Sequence, residues 1–387
     1  MLGFTKEELE SKNGIFTVEE ILQQPDTWRK TARQLADMQE PLRSFIHSIT
    51  EQDDYEIILT GAGTSEYVGN SLLPALLTRF GGHIHSIGTT DIVATPEAFV
   101  PADKPLLLVS FARSGNSPES VGAVKAVDRI CQKAAHLFIT CNRDGALAKM
   151  ADEKDNCFSL VLTPETHDRS FAMTSSFTNM YLAALIALTE ERMDFEDVIG
   201  AGEAFAADGF ETVKAFVADN DFNRIVYLGS DVLKGIAQEA ALKVLELTAG
   251  QVVALHDSPM GFRHGPKSVV DEDTVSVVYI SENPVTRRYE MDLLKELFRD
   301  RRGSKILAVA SVIDDIIAAN CDLAVPIEAH RGDGSDAAVP NSKLALPYIM
   351  AAQVLAVLYA LKLGITPDNP CPTGEVNRVV QGVTIYE

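Results

Sequence analysis

The chain has 387 residues, 46% hydrophobic and 23% charged, the balance of a soluble globular protein, and at roughly 150 residues per domain it is long enough for two or three. A formal charge of −21 argues against a nucleic-acid partner, because neutralising phosphates needs a Lys/Arg surface, although a few local donors can still hold a small anion. The five cysteines are scattered without a C-x-x-C pair, which argues against a disulfide framework and a structural zinc site and fits a reducing cytoplasm.

Residues 1–50 read as a helical segment punctuated by Pro25 and Pro41. The opening MLGFTKEELESKN is charged and lacks the apolar core of a signal peptide. Strands and helices then alternate. YEIILTG runs into the helical SEYVGNSLLPALLTRF, and KPLLLVSF leads through RSGNSPES into VGAVKAVDRICQ. AAHLFITCN precedes GALAKMAD, and CFSLVLT precedes a long helix from about Thr174 to Glu191. Short apolar strands alternating with helices predict a parallel sheet covered on both faces.

The pattern recurs. NRIVYLGSDVLKGIAQEAALKVLE echoes the first strand–turn–helix, with Gly229 lying 168 positions after Gly61. DTVSVVYISENPVTRR, SKILAVAS and CDLAVPIE echo the next three strands in order. The expected architecture is α/β, two tandem doubly wound parallel-sheet domains arising by internal duplication. The expected division is an N-terminal helical segment (1–50), a first domain (51–200), a second domain (201–370) and a tail (371–387). The apolar run YIMAAQVLAVLYALKLG contains Gln353 and Lys362, falls short of a membrane span and reads as a buried helix.

In an open parallel sheet, ligands bind where the carboxyl ends of strands meet helix N-termini. GAGTSE, residues 61–66, has Glu66 in place of the third glycine of a dinucleotide fingerprint, and no Gly-Lys-Ser/Thr follows, so it is not a Walker loop. It is a glycine-rich turn in which Gly63, Thr64 and Ser65 offer amides and hydroxyls, although a capping role for Ser65 explains the hydroxyl equally well. ARSGNSPES brings Arg113, Ser114, Asn116 and Ser117 around a glycine, a donor set suited to a phosphate monoester or, more plainly, to a capping turn. The matching second-copy loops, LGSDVL and SENPVT, are poorer in glycine and hydroxyls, so the second copy is expected to supply something else.

On the helix QEAALKVLELTAGQ, Glu239, Lys243 and Glu246 share one face of an otherwise apolar wheel. They read either as an exposed ion pair or as charges lining a cavity. His264, before Gly-Pro in a polar loop, is of the residue type best suited to acid–base chemistry near neutral pH, although a capping or core histidine is the plainer alternative. HIH at residues 83–85 is a poor metal-ligand pair, HRGDGSD at 330–336 reads as a polar turn, and Trp28 reads as core. No metal and no cofactor are expected.

GTS (63–65), SGNS (114–117) and EAALKVLELTAGQVVALHDSPMGFRHGP together resemble the sugar isomerase (SIS) domain family, and the last of these looks like the second-copy signature of the isomerase domain of glucosamine-6-phosphate synthase. HDRSFAMTSSFTNM and NPCPTGEVNRVVQGVTIYE resemble the tagatose-6-phosphate ketose/aldose isomerase group, whose members are read as galactosamine-6-phosphate deaminases. The resemblance implies phosphate binding by Thr64, Ser65, Ser114 and Ser117. It implies proton transfer between sugar C1 and C2 by Glu246, with Glu239 and Lys243 lining the same site and His264 assisting ring opening. In the relatives that histidine comes from a neighbouring subunit, so the resemblance implies a homo-oligomer, a dimer or larger. A small phosphosugar is the implied partner, with no nucleic acid and no membrane. Two departures stand out: Ala112 replaces the serine preceding the loop, and Arg378 and Gln381 stand nearest to the family's tail lysine. With no cysteine before Cys131, a glutamine-hydrolysing domain is not expected, and the expected readings are a deaminating isomerase, a simple ketose/aldose isomerase or a non-catalytic phosphosugar sensor.

Overall fold

A computed structural model describes residues 1–189, 194–329, 338–380 and 382–386. The HRGDGSD segment and Gln381 lie outside the described residues. The chain forms two compact units that interleave in sequence. One comprises Asp26–Asp168, Ser175–Met193 and Gly374–Glu387, and the other Met1–Pro25, Arg169–Thr174 and Asp194–Thr373.

The first unit is built on β1 (Glu56–Thr60), β2 (Ile84–Ser86), β3 (Leu106–Ala112), β4 (Ala134–Thr140) and β5 (Cys157–Val161), all parallel, in the order β2-β1-β3-β4-β5. The second unit holds β6 (Arg224–Leu228), β7 (Val253–Asp257), β8 (Thr274–Tyr279), β9 (Lys305–Ala310) and β10 (Leu323–Pro326), in the order β10-β9-β8-β6-β7. Read from the other edge, this is the same topology strand for strand. Registers agree as well: Glu56 pairs with Leu106 and Arg224 with Thr274, each 168 positions on. The α/β duplication is therefore present.

Two strands escape a reading by apolar runs. β2 has three residues and buries only Ile84, and β7 is an exposed edge with Val253 at 52% and Leu255 at 38%. The central strands β3 and β8 are buried throughout, as helix-covered parallel strands must be. His83 and His85 are occupied separately, one on the Tyr55 carbonyl and the other 3.2 Å from a Glu56 oxygen.

The N-terminal segment forms four helices, with Pro25 and Pro41 in the first turns of Gln24–Asp37 and Gln39–Thr50, where a missing N–H costs nothing. Trp28 is fully buried and donates to Thr178 Oγ1 at 2.9 Å. Asn179 bonds Thr27 and Thr31 at 2.8 and 2.7 Å, so the polar residues of TSSFTN stitch the helix Ser175–Thr189 to Gln24–Asp37. The apolar run near residue 350 belongs to a helix, Asn341–Lys362, that starts earlier than the run itself. Its 22 residues are long and apolar enough to cross a membrane, yet its apolar window is wholly buried, as in a core helix.

Candidate functional site

In the first unit, β1 ends at a turn whose first position has room only for glycine. A Cβ on Gly61 would run into the Ser65 main chain, and Gly63 lies at φ 56°, ψ −128°. No side chain caps the helix Thr64–Phe80 at Gly63, and Thr64 and Ser65 stand in its first turn, 4% and 6% exposed. This glycine turn opens directly onto a helix N-terminus, the usual setting for an anion.

The second loop follows β3, with Gly115 at φ +65°. Ser114 Oγ accepts from Asn116 N at 3.3 Å, and its own hydroxyl proton can turn outward. Ser117 caps the helix Pro118–Ile130, accepting from Ser120 N at 3.3 Å and donating to Ser120 Oγ at 2.7 Å. Asn116 Oδ1 accepts from Ala146 N at 2.9 Å and so ties this loop to the next. Arg113, 7% exposed, donates to the Arg378 carbonyl at 2.7 Å. Part of the donor set that the sequence offers is thus turned to capping and bracing.

In the second unit the equivalent turns are acidic. Gly229, like Gly61, has no room for a Cβ, because the Leu233 carbonyl stands there. Asp231 occupies the place of Gly63 with nearly the same backbone, φ 56°, ψ −134°. Asn283 is the counterpart of Ser117 as a cap preceding a proline, which sets Glu282 opposite Asn116. Burial pushes Asp231 up, and it pushes the fully buried Glu290 to about 7, against the Ser281 amide, Ser230 and Arg287 and with a smaller push from Asp231. A phosphate dianion would be repelled here.

The helix Val232–Leu247 carries the charged stripe. Lys243 Nζ stands 3.1 Å from Glu239 Oε1 and 2.8 Å from Glu246 Oε2. Glu239 and Lys243 are fully buried, while the Glu246 side chain is 24% exposed. Burial lowers the Lys243 pKa, but the two carboxylates outweigh it and hold the ammonium above its ordinary value. The stripe is therefore a sealed cation between two carboxylates, with Glu246 alone reaching solvent.

His264 is exposed, in a turn between Pro259–Phe262 and Pro266–Val269. Arg263 and Lys267 bind Glu296 at 2.9 and 2.5 Å and so fasten the turn to the helix Pro284–Asp300. Among the described residues, no hydrogen bond or ion pair joins His264 to Glu246. Asp168 is absent from the site residues expected from the sequence, and Arg378 entered there only as a neighbour of the family's tail-lysine position, with no partner assigned. Asp168 caps the helix Ser175–Thr189 through Ser175 N and Ser176, and Arg378 donates to the Asp168 carbonyl. An acid followed by a Ser-Ser helix start was the legible signal for the first, and a contact over 210 positions left none for the second.

The SIS domain family matches residues 49–190 and 220–358. The chain belongs to this family. It is 42% identical over 376 residues to a D-galactosamine-6-phosphate deaminase, AgaS, from Escherichia coli, covering 96% of each chain. Among solved structures, a Clostridium novyi NT protein described as a candidate tagatose-6-phosphate ketose/aldose isomerase aligns with TM-score 0.95 and 41% identity, covering 100% of this chain and 99% of that one. The tagatose-6-phosphate ketose/aldose isomerase of Escherichia coli aligns at 0.88 and 39%, covering 97% of each. Both SIS matches coincide with a sheet, so the duplication seen in the topology is a duplication of SIS domains.

Proposed function

We propose that this SIS protein is an enzyme, a phosphosugar deaminase/isomerase that converts galactosamine 6-phosphate and water to tagatose 6-phosphate and ammonia. The observation that carries the reading is Glu246, a carboxylate reaching solvent and fixed at 2.8 Å by a sealed ammonium, in a chain 42% identical end to end to a galactosamine-6-phosphate deaminase. In this reading the amides and hydroxyls at Gly63, Thr64, Ser65, Ser114 and Ser117 take the phosphate. After ring opening, assisted by His264, Glu246 removes the proton from C2 and returns it to C1. The C2–N bond becomes an imine, water adds to it, and ammonia leaves as the ketose forms. Lys243 orients the Glu246 carboxylate, and Glu239 keeps Lys243 charged.

No hydrogen bond or ion pair joins His264 to Glu246 among the described residues, and the stretch from Leu245 to His264 exposes apolar side chains: Leu245 at 40%, Val253 at 52% and Met260 at 44%. These features support a homo-oligomer, at least a dimer, in which the histidine serves a neighbour's site. The scattered cysteines, with no disulfide among the described residues, support a cytoplasmic setting.

A second reading, ketose/aldose isomerisation without nitrogen release, draws support from what the two solved structures are described as doing. The purified protein is to be incubated separately with galactosamine 6-phosphate, glucosamine 6-phosphate and tagatose 6-phosphate, following ammonia and ketose. Equimolar ammonia and ketose from galactosamine 6-phosphate is the expected result. Interconversion of a neutral sugar phosphate without any ammonia from the amino sugars favours the second reading, and tight binding without turnover removes both.

A further inference from the structure

Within the first unit the C-terminal tail is fastened at two places, and each includes a residue of one stretch, the loop after β3 with its following helix. At one place the Arg113 guanidinium donates to the Arg378 carbonyl at 2.7 Å, while the Arg378 guanidinium donates to the Asp168 carbonyl. At the other, Ile385 lies on Gly122 of the helix Pro118–Ile130, where a Cβ would meet Ile385 and Val93 carbons at 3.2 Å. There Val93, Pro96, Gly122, Lys125, Arg129 and Ile385 line a groove of about 430 Å³. The two anchors flank Ser114–Ser117, the loop read above as a phosphate cradle. A guanidinium beside such a loop would ordinarily be assigned to the anion. Here it is 7% exposed and spends a donor on a main-chain carbonyl 265 positions away.

We propose that Arg113 is a positioning residue that pins the tail to the phosphate loop, that Gly122 is the seat of the tail's second anchor, and that the loop and the tail order one another when a phosphosugar binds. The proposal rests on the phosphosugar reading for its ligand. The physical coupling is reciprocal: a tail held at both ends limits the motion of the loop between them, and an anion that orders the loop strengthens the hold on the tail.

Arg378 supplies the test, because trypsin cuts after arginine and the carbonyl it must attack is the one Arg113 holds. Cleavage after Arg378 is followed by mass spectrometry in the full chain and in Arg113→Lys, Ile385→Ser and the double variant, with and without inorganic phosphate. KM, kcat and Tm are measured alongside. Arg113→Lys keeps the charge but loses the reach of the fork. Arg113→Lys is expected to speed cleavage about tenfold, the equivalent of one hydrogen bond to a charged group, and Ile385→Ser about tenfold through loss of its apolar contact with the Gly122 helix. Each is expected to raise KM with little change in Tm, and the double variant is expected to add little more. Phosphate should slow cleavage of the wild-type chain. A higher KM in Arg113→Lys with unchanged cleavage would make Arg113 a phosphate ligand and overturn the proposal. Faster cleavage in Ile385→Ser with an unchanged KM would reduce the tail to a passive strap and overturn it equally. If the wild-type protein turns over no phosphosugar, the functional reading fails by itself, while the effect of inorganic phosphate on cleavage still decides the coupling.

Discussion

Lys243 shows how one helical face divides into unequal parts. The helix wheel puts Glu239, Lys243 and Glu246 together, and packing then seals the first two and leaves the third at the surface. The consequences of mutation should separate accordingly. Glu246→Gln is expected to fold normally and to lose turnover by about 10²–10⁴-fold, the scale of a missing general base, in a steady-state ammonia assay. Lys243→Met would deprive the buried Glu239 carboxylate of this cation and should cost about 3–5 kcal/mol, read as a lower denaturant midpoint before any activity is measured. Glu290 makes a different prediction. Its pKa is near 7 in the fold against an ordinary 4.5, so the folded state holds a proton that the unfolded state has released. Stability from this group is complete below about 4.5 and drains away as pH rises toward 7. Glu290→Gln should therefore gain on the wild-type chain between pH 5 and pH 8, by on the order of 2 kcal/mol, in paired urea titrations.

At the level of the strand–turn–helix element, the two copies compare directly. Gly61 and Gly229 stand where a Cβ would strike the helix that follows, and that constraint was readable as two glycines at equal positions in a repeat. The next turn position could not be read so simply, because Asp231 adopts a left-handed backbone that its residue type does not advertise. Strain there is expected to be of order 1–3 kcal/mol. Asp231→Gly, which installs the residue the first copy already has, should raise stability by about 1 kcal/mol once the greater freedom of glycine in the unfolded chain is subtracted. A thermal melt with no gain, or with a loss, would mean that the Asp231 carboxyl contributes more than its backbone costs. The loop after β3 shows the limit of motif reading. Its residue types suit a phosphate, yet Asn116 and Ser117 work partly as a brace and a cap, because short polar side chains near a helix start bond their own neighbourhood first.

For the molecule as a whole, the most direct test concerns the number of chains in a working site. If His264 serves a neighbour, mixing inactive Glu246→Gln and His264→Ala chains through a refolding step should restore roughly a quarter of wild-type activity in a random dimer, since one site of each mixed pair is intact. No recovery would place both groups in one chain. The repeat of strand, glycine turn and helix was legible along the chain because a parallel sheet covered by helices needs apolar runs of nearly fixed spacing, and these survive duplication. The family followed from short loops whose residue types are limited by backbone geometry. What the linear order did not contain was burial and long-range partnership: which charge of the stripe meets solvent, which carboxylate is lifted to near neutrality, and that Arg113 reaches a carbonyl 265 positions away. Those depend on how whole elements exclude water from one another, a property of the packed chain that no local window of residues carries.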